Sequence, residues 1–315
     1  MYYREETKSH SVALENDQII MTAPSVFAEQ PHSDVSDKYG FIPTINVIDG
    51  LRAEGWYPVD ATQKNVRDKS KQDFTKHLVR FRRLNDDITV GDSVVELLLT
   101  NSHDRSSGFV LHAGVFRMAC ANGIVIADST FNKVSVRHNR FATERVIEGS
   151  YNVIDEVPLI TSQIEGMQAI ELNRAEQEIF ARTALGYILP EPKQNQKIIT
   201  SSENLTSQML RPKRSSDTGM DLWSTFNVVQ EKALRGGIRM SKWTDGKGYR
   251  NSTTREVKNI DKNIKLNKAL FEMAMQMKAI KEAAIVQYTL LIDTASRNRN
   301  RQLLTPIKAN NREGK

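Results

Sequence analysis

The densest chemistry in the chain lies between Leu234 and Leu270. There Arg235, Arg239, Lys242, Lys247, Arg250, Arg255, Lys258 and Lys262 surround two rings, Trp243 and Tyr249. Gly236, Gly237, Gly246 and Gly248 interrupt the same stretch and allow the backbone to come close to a partner. Cationic side chains displace counterions from phosphates and flat rings accept any base, so the mixture suits sequence-tolerant contact with a nucleic-acid strand. A second cationic element is HLVRFRR, where strand alternation places Arg80 and Arg82 on one face. The expected phosphate contacts are therefore Arg80, Arg82, Arg235, Arg239, Lys242, Arg250, Arg255 and Lys258, with Trp243 and Tyr249 as stacking platforms. A surface loop whose two rings pack on flanking helices is the alternative reading of the same residues.

Other chemistries are poorly supported. The Gly-x-Gly at 246–248 is not followed by Gly-Lys-Ser/Thr, so it is not a nucleotide-hydrolase phosphate loop. The single cysteine, Cys120, has His112 and His138 as conceivable partners, yet a small buried thiol beside the Asn122-Gly123 turn is the better account of it. The six histidines lack metal-ligand spacing, and Asp86, Asp87, Asp92, Glu96 and Asp104 read mostly as turn residues. The expectation is a non-enzymatic protein with no catalytic residue, no metal and no cofactor.

Charge supports a polyanionic partner. The net charge is +6, but residues 231–270 hold 11 basic against 4 acidic side chains, and residues 1–40 hold 3 against 7. Clustered cations sum to a directional potential where dispersed ones cancel. No apolar run reaches membrane-spanning length and the N-terminus lacks the order of a secretory signal, so the expected location is the cytoplasm of a bacterial host cell, with no membrane partner.

The elements that must position these residues give an α+β organisation: an antiparallel sheet preceded by a short helix and followed by a mainly helical C-terminal half. Residues 1–40 read as an extended arm, with Phe27 or Tyr39 tucked on the core. Residues 41–192 hold a core. Thr44 caps a helix with Val47, Ile48 and Leu51 on one face; short strand runs follow from Trp56 to about Asn139, separated by Asn85-Asp86-Asp87, NSHDRSSG and Asn122-Gly123 turns. One long acidic helix then buries Ile164, Met167, Ile170, Ile179 and Phe180. Residues 193–219 read as a linker carrying the basic cluster Arg211, Lys213 and Arg214, residues 220–296 as a basic helical region with a glycine-rich loop, and residues 297–315 as a basic flexible tail. In the last helix Leu266, Leu270, Met273, Met277 and Ile280 alternate at spacings of 4 and 3, a seam that packs either inside the molecule or between copies in a homo-oligomer.

The blocks HLVRFRR, FRMACANG, LWSTFNVVQEKALRGG and REVKNIDKNIKLNKALFEMA, in that order over about residues 40–280, resemble the phage/plasmid-like proteins of domain-of-unknown-function family 932. The resemblance implies a phage, prophage or plasmid context and carries over no catalytic residue. Helix, antiparallel sheet and long helix is also the core order of phage single-strand annealing proteins. Together these readings predict a mobile-element protein that binds nucleic acid, single-stranded DNA foremost, with low sequence specificity. The competing expectation is an oligomeric interaction protein that binds and inhibits a host factor.

Overall fold

Alternating β-branched and aromatic residues after Trp56 build one antiparallel sheet. The computed structural model describes residues 12–34, 40–84, 88–90, 93–117, 123–126, 134–136, 141–189, 191–192, 194–214 and 217–303. Two helices precede the sheet, α1 (Asn16–Thr22) and α2 (Thr44–Ala53). The strands are β1 (Tyr57–Gln63), β2 (His77–Arg82), β3 (Thr89–Val90), β4 (Ser93–Asn101), β5 (Phe109–Arg117), β6 (Gly123–Ile126) and β7 (Val134–Val136). Their hydrogen-bonded order is β1-β2-β4-β5-β6, with β3 paired to β4 and β7 to β5, all antiparallel. The α+β class is as the sequence implies. Cys120, Asn122, His138, Tyr39, Asn85, Asp86, Asp87 and Asp92 lie outside the described residues.

Register explains the core. Val79, Leu99 and Leu111 are successive cross-strand partners, as are Phe81, Leu97 and Ala113, and all six are buried. The opposite face carries Arg80, Leu98 and His112 in one row. Leu98 there packs with Leu78 and with Ile264 of a later helix, so both faces of the central strands are covered.

The N-terminal segment is not the extended arm expected. Helix α1 is closed by a reciprocal Glu15/Gln18 capping box, and Ile19, Ala23 and Val26 are buried. The backbone of Leu14 donates to Pro58 on β1, and that of His32 donates to His103. Burial of apolar residues spaced three and four apart overrides the breaking effect of the prolines and serines around them.

A buried polar hub ties this segment to the sheet. Thr44 caps nothing; it is the first residue of α2, and its hydroxyl lies 2.9 Å from His77 Nε2, 3.0 Å from His103 Nε2 and 2.9 Å from Asn101 Nδ2. His77 Nδ1 faces the Thr75 carbonyl at 3.2 Å and the Ser25 hydroxyl at 2.9 Å. A carbonyl only accepts, so His77 carries its proton on Nδ1 and receives the Thr44 hydroxyl proton at Nε2. Thr44 Oγ1 then accepts from Asn101 and from His103 Nε2–H, which uses its full capacity.

The acidic helical stretch is two helices, α3 (Ala142–Gln168) and α4 (Arg174–Ile188). Asn173 and Glu176 form a capping box that starts α4. The break changes the facing of the second helix, so Ile179 is exposed while Phe180 is buried. The expected linker holds β8 (Gln196–Ile198) and α5 (Ser202–Met209). Helix α6 (Leu222–Arg235), N-capped by Asp221, buries residues all round its circumference and so runs through the core. After it come β9 (Arg239–Thr244), β10 (Gly248–Thr253) and α7 (Ile260–Leu303). Residues 297–303 of the expected tail continue α7, and 304–315 lie outside the described residues. The main compact unit ends at Ala274; the remainder of α7 forms a second unit, in which Lys278 pairs with Glu282 at 2.8 Å.

Thr44→Val keeps side-chain shape but removes the oxygen shared by His77, His103 and Asn101. It is expected to lower unfolding free energy by about 2–4 kcal/mol, against about 1 kcal/mol for Thr44→Ser, which loses only a methyl group. Urea denaturation of the two variants checks the order, and equal losses would contradict the assigned network.

Candidate nucleic-acid interface

The cationic residues nominated from the sequence divide into those that the fold neutralises and those that it leaves open. Arg80 and Arg82 belong to the first group. Glu96 on β4 has 0% exposure and accepts from Arg80 Nε at 2.8 Å and from Arg82 Nε at 3.1 Å and Nη2. Arg80 also reaches Asp60 at 3.5 Å. A carboxylate removed from water must be matched by charge and hydrogen bonds where it stands, so both arginines are structural and do not line a phosphate groove. Glu96 itself is a mid-strand residue and not the turn residue expected.

The basic cluster before α6 is used in the same way. Lys213 and Arg214 reach Glu231 at 3.0 and 3.1 Å, and Arg214 also pairs with Asp217 at 3.0 Å. Burial pushes the Glu231 carboxyl up, but hydrogen bonds and charge from Arg214 and Lys213 outweigh it and hold the group below its ordinary range. Burial and the nearby Lys213 push Lys232 down against the opposing pull of Glu231. Arg235 pairs with Glu256 at 2.7 Å, both half-exposed, and this contact is weak in water.

The remaining nominees sit on a structure that the sequence reading does not anticipate. Residues 239–253 are a β-hairpin, not an interrupted helix. Gly246 and Gly248 adopt φ of 74° and 70° in its turn, and these angles favour glycine over any side chain. At the entrance Gly236 has φ of 73°, and a Cβ there would lie 2.5 Å from the Thr254 carbonyl oxygen. With β8 the hairpin forms a second antiparallel sheet in the order β10-β9-β8. Where β8 stops short, Gln208 of α5 continues the pairing, accepting from the Arg239 N–H at 2.8 Å and donating to its carbonyl at 2.9 Å.

Pairing register assigns each residue to a face. Tyr249 is opposite Trp243, which is opposite Lys197 on β8, so the three stand in one row. Arg239, Ser241, Asn251 and Thr253 share that face. Trp243 and Tyr249 are 37% and 70% exposed and meet edge to face, with centroids 4.7 Å apart. The indole N–H of Trp243 donates to Asp245 at 3.1 Å, which fixes the ring.

Lys242 and Arg250 are direct partners on the other face, together with Met240 and Ser252. Facing cations repel, so their pairing costs stability unless an anion joins them. A pocket of about 740 Å³ opens on this side. Lys242, Arg255, Lys262 and Lys265 line it, and no carboxylate does. Met240, Val257, Leu266 and Ala269 supply apolar wall. Lys262, Lys265, Leu266 and Ala269 fall at i, i+3, i+4 and i+7 of α7 and therefore share one helix face. Lys258 is exposed in the connection between β10 and α7.

The stacking rings and the pocket cations thus lie on opposite sides of one hairpin. Lys197 and Lys265 were not among the expected contacts. The first lay inside the assumed linker, whereas the second was legible from helical spacing with Lys262.

The expected seam of α7 is internal in part. Leu270 is 0% exposed and Met273 is buried, and Leu266 faces the pocket. In the second unit Met277 is half-buried and Ile280 is 68% exposed.

Fold and site define an α+β protein with a cation-rich small sheet, open on one face and bordering a pocket on the other. The chain belongs to the family described as Domain of unknown function (DUF932), whose model matches residues 31–271. It is similar to two proteins of Escherichia coli (strain K12), UPF0380 protein YafZ and UPF0380 protein YfjQ. Each is 38% identical over 261 residues, covering 83% of this chain and 90% of the relative. No solved structure matches significantly.

Two expected outcomes rest on these placements. Leu270→Glu is expected to unfold the protein, as monitored by circular dichroism, because the charge would enter the core; a folded variant of altered assembly mass would instead place Leu270 in an interface. The depressed Glu231 carboxyl contributes stability that is present above its ordinary pKa and is lost as pH falls through its folded value. The stability gap between the natural protein and Glu231→Gln should therefore shrink in urea titrations as pH drops from 7 to below about 4.

Proposed function

We propose that this protein binds single-stranded nucleic acid, DNA foremost, with little sequence preference, through the open face of the β8–β9–β10 sheet. The observation that carries the reading is the exposed Trp243–Tyr249 pair, set in one row with Lys197 and sharing its face with Arg239. Aromatic faces stack on bases of any identity, while adjacent cations hold the backbone. A row of rings across a sheet suits unpaired bases, which a duplex keeps stacked within itself. The regular C-terminal sheet presents no helix to a major groove, in keeping with the lack of base-specific reading. In this reading the protein serves a phage or plasmid, acting on strands laid bare when the element is copied or transferred.

The test is binding of a labelled oligonucleotide by anisotropy, comparing single-stranded DNA, duplex DNA and RNA across a salt series. Single-stranded DNA should bind most tightly, with affinity falling steeply as salt rises. Trp243→Ala and Tyr249→Ala should each weaken binding by roughly 5- to 150-fold, the equivalent of about 1–3 kcal/mol per stacked base. Arg239→Ala should reduce the logarithmic salt slope by about one. Undetectable binding at low salt, or binding indifferent to salt and to both rings, refutes the assignment.

A further inference from the structure

We infer that the pocket behind the hairpin is a site for a nucleoside phosphate, with the phosphate held by Lys242, Arg255, Lys262 and Lys265 and the nucleoside lodged against the apolar wall. The cations come from three separate places in the chain: strand β9, the connection after β10, and the first turns of α7. Among the described residues none of the four forms an ion pair. The carboxylates nearest to them in sequence are engaged elsewhere: Asp245 accepts from the Trp243 indole N–H at 3.1 Å, Glu256 pairs with Arg235, and Asp261 pairs with Lys76 at 2.6 Å. Four like charges around one concavity raise the energy of the empty protein and focus a positive potential into the space between them. A bound polyanion offsets that repulsion.

The rest of the lining specifies what the anion is attached to. Met240, Val257, Leu266 and Ala269 form an apolar wall that a bare inorganic ion would leave unused. Tyr187, on α4 and 55% exposed, offers a ring at the rim for a base to stack on. The hydroxyl of Ser252, also in the lining, is buried and has no partner among the described residues, leaving a donor for a ligand oxygen. A volume of about 740 Å³ accommodates a nucleotide with its phosphates, within the usual range for small-molecule sites. Four cations exceed what a single carboxylate calls for, which favours phosphate over a fatty acid.

The site lies across the hairpin from Trp243 and Tyr249 and stands without them. Its ligand has two possible sources, a free nucleotide or the phosphorylated 5′ end of a strand. The test is calorimetry at low salt with ATP, with dAMP and with pyrophosphate. It runs beside anisotropy of an oligo-dT bearing a 5′ phosphate or a 5′ hydroxyl.

The protein should bind at least one nucleotide or prefer the 5′-phosphorylated strand, and Lys262→Ala with Lys265→Ala should weaken that binding at least tenfold. Both lysines are exposed, so the double variant should keep its fold. Leu266→Ser should weaken nucleotide more than pyrophosphate. Trp243→Ala should leave nucleotide affinity unchanged while reducing oligonucleotide affinity, so the pocket and the open face fail or stand separately. A free nucleotide that binds without any 5′-phosphate preference identifies the first source, and the converse the second. Absence of both, or nucleotide affinity unaltered in the double lysine variant, overturns the inference.

Discussion

A carboxylate with no access to water must be neutralised in place, and Glu96 imposes that condition on the centre of the sheet. Arg80 and Arg82 on the neighbouring strand meet it. Removing Glu96 would leave two largely buried guanidinium groups without the carboxylate they share. The same rule sorts cations throughout the main unit. Wherever a carboxylate shares the local environment, as Glu231 does with Lys213 and Arg214 or Asp261 with Lys76, the lysine or arginine is part of the framework. Among the described residues Lys242, Arg255, Lys262 and Lys265 form no ion pair and line one concavity, and that convergence is what separates a candidate site from a merely basic surface.

The sheet can present that group because its own supports are rigid. Asp221 begins α6 through the Ser224 N–H at 2.8 Å, and the helix is buried on every side. Gly236 then turns the chain where a side chain would strike Thr254 and Arg255. Strand β9, central in the sheet, is tied beyond the end of β8 by Gln208 and by Thr200, which accepts from the Ser241 N–H at 2.7 Å. These side-chain amides and hydroxyls satisfy the backbone groups that β8 is too short to reach, and so hold the central strand in place.

Much of the larger sheet was legible because its strands alternate and its connections carry turn residues. Alternation sets Arg80 and Arg82 on one face of HLVRFRR, and Val79 and Phe81, before and between them, fall on the other, which is buried. The pairing of Arg80 and Arg82 with Glu96 was not legible, since one-dimensional spacing does not reveal which strand residue will stand beside which. Reading Arg211, Lys213 and Arg214 as a basic cluster has the same blindness, since Glu231 holds two of the three. The hairpin failed for a different reason. Asp245-Gly246 between RMSKWT and GYRNST is a standard hairpin signal, but the lysines, arginines and glycines around it dilute the apolar alternation by which strands are recognised. Asn173 and Glu176 likewise spelled a helix start inside what read as one continuous apolar period.

Helix α7 shows most clearly where pattern stops and structure begins. A 4-3 spacing of apolar residues says that a face is covered without saying by what. Leu270 and Met273 are covered by the protein's own core, in which Phe271 meets Phe226 edge to face at 6.1 Å. One turn earlier, Leu266 has the same position in the spacing but opens onto a cavity whose other walls carry lysine and arginine. An apolar row that runs from core into an uncompensated cationic pocket would be a defect in a purely structural helix, with both hydrophobic surface and like charge left uncovered. A ligand having both an apolar body and a phosphate removes the two penalties at once, and that pairing makes the pocket more than a gap in packing.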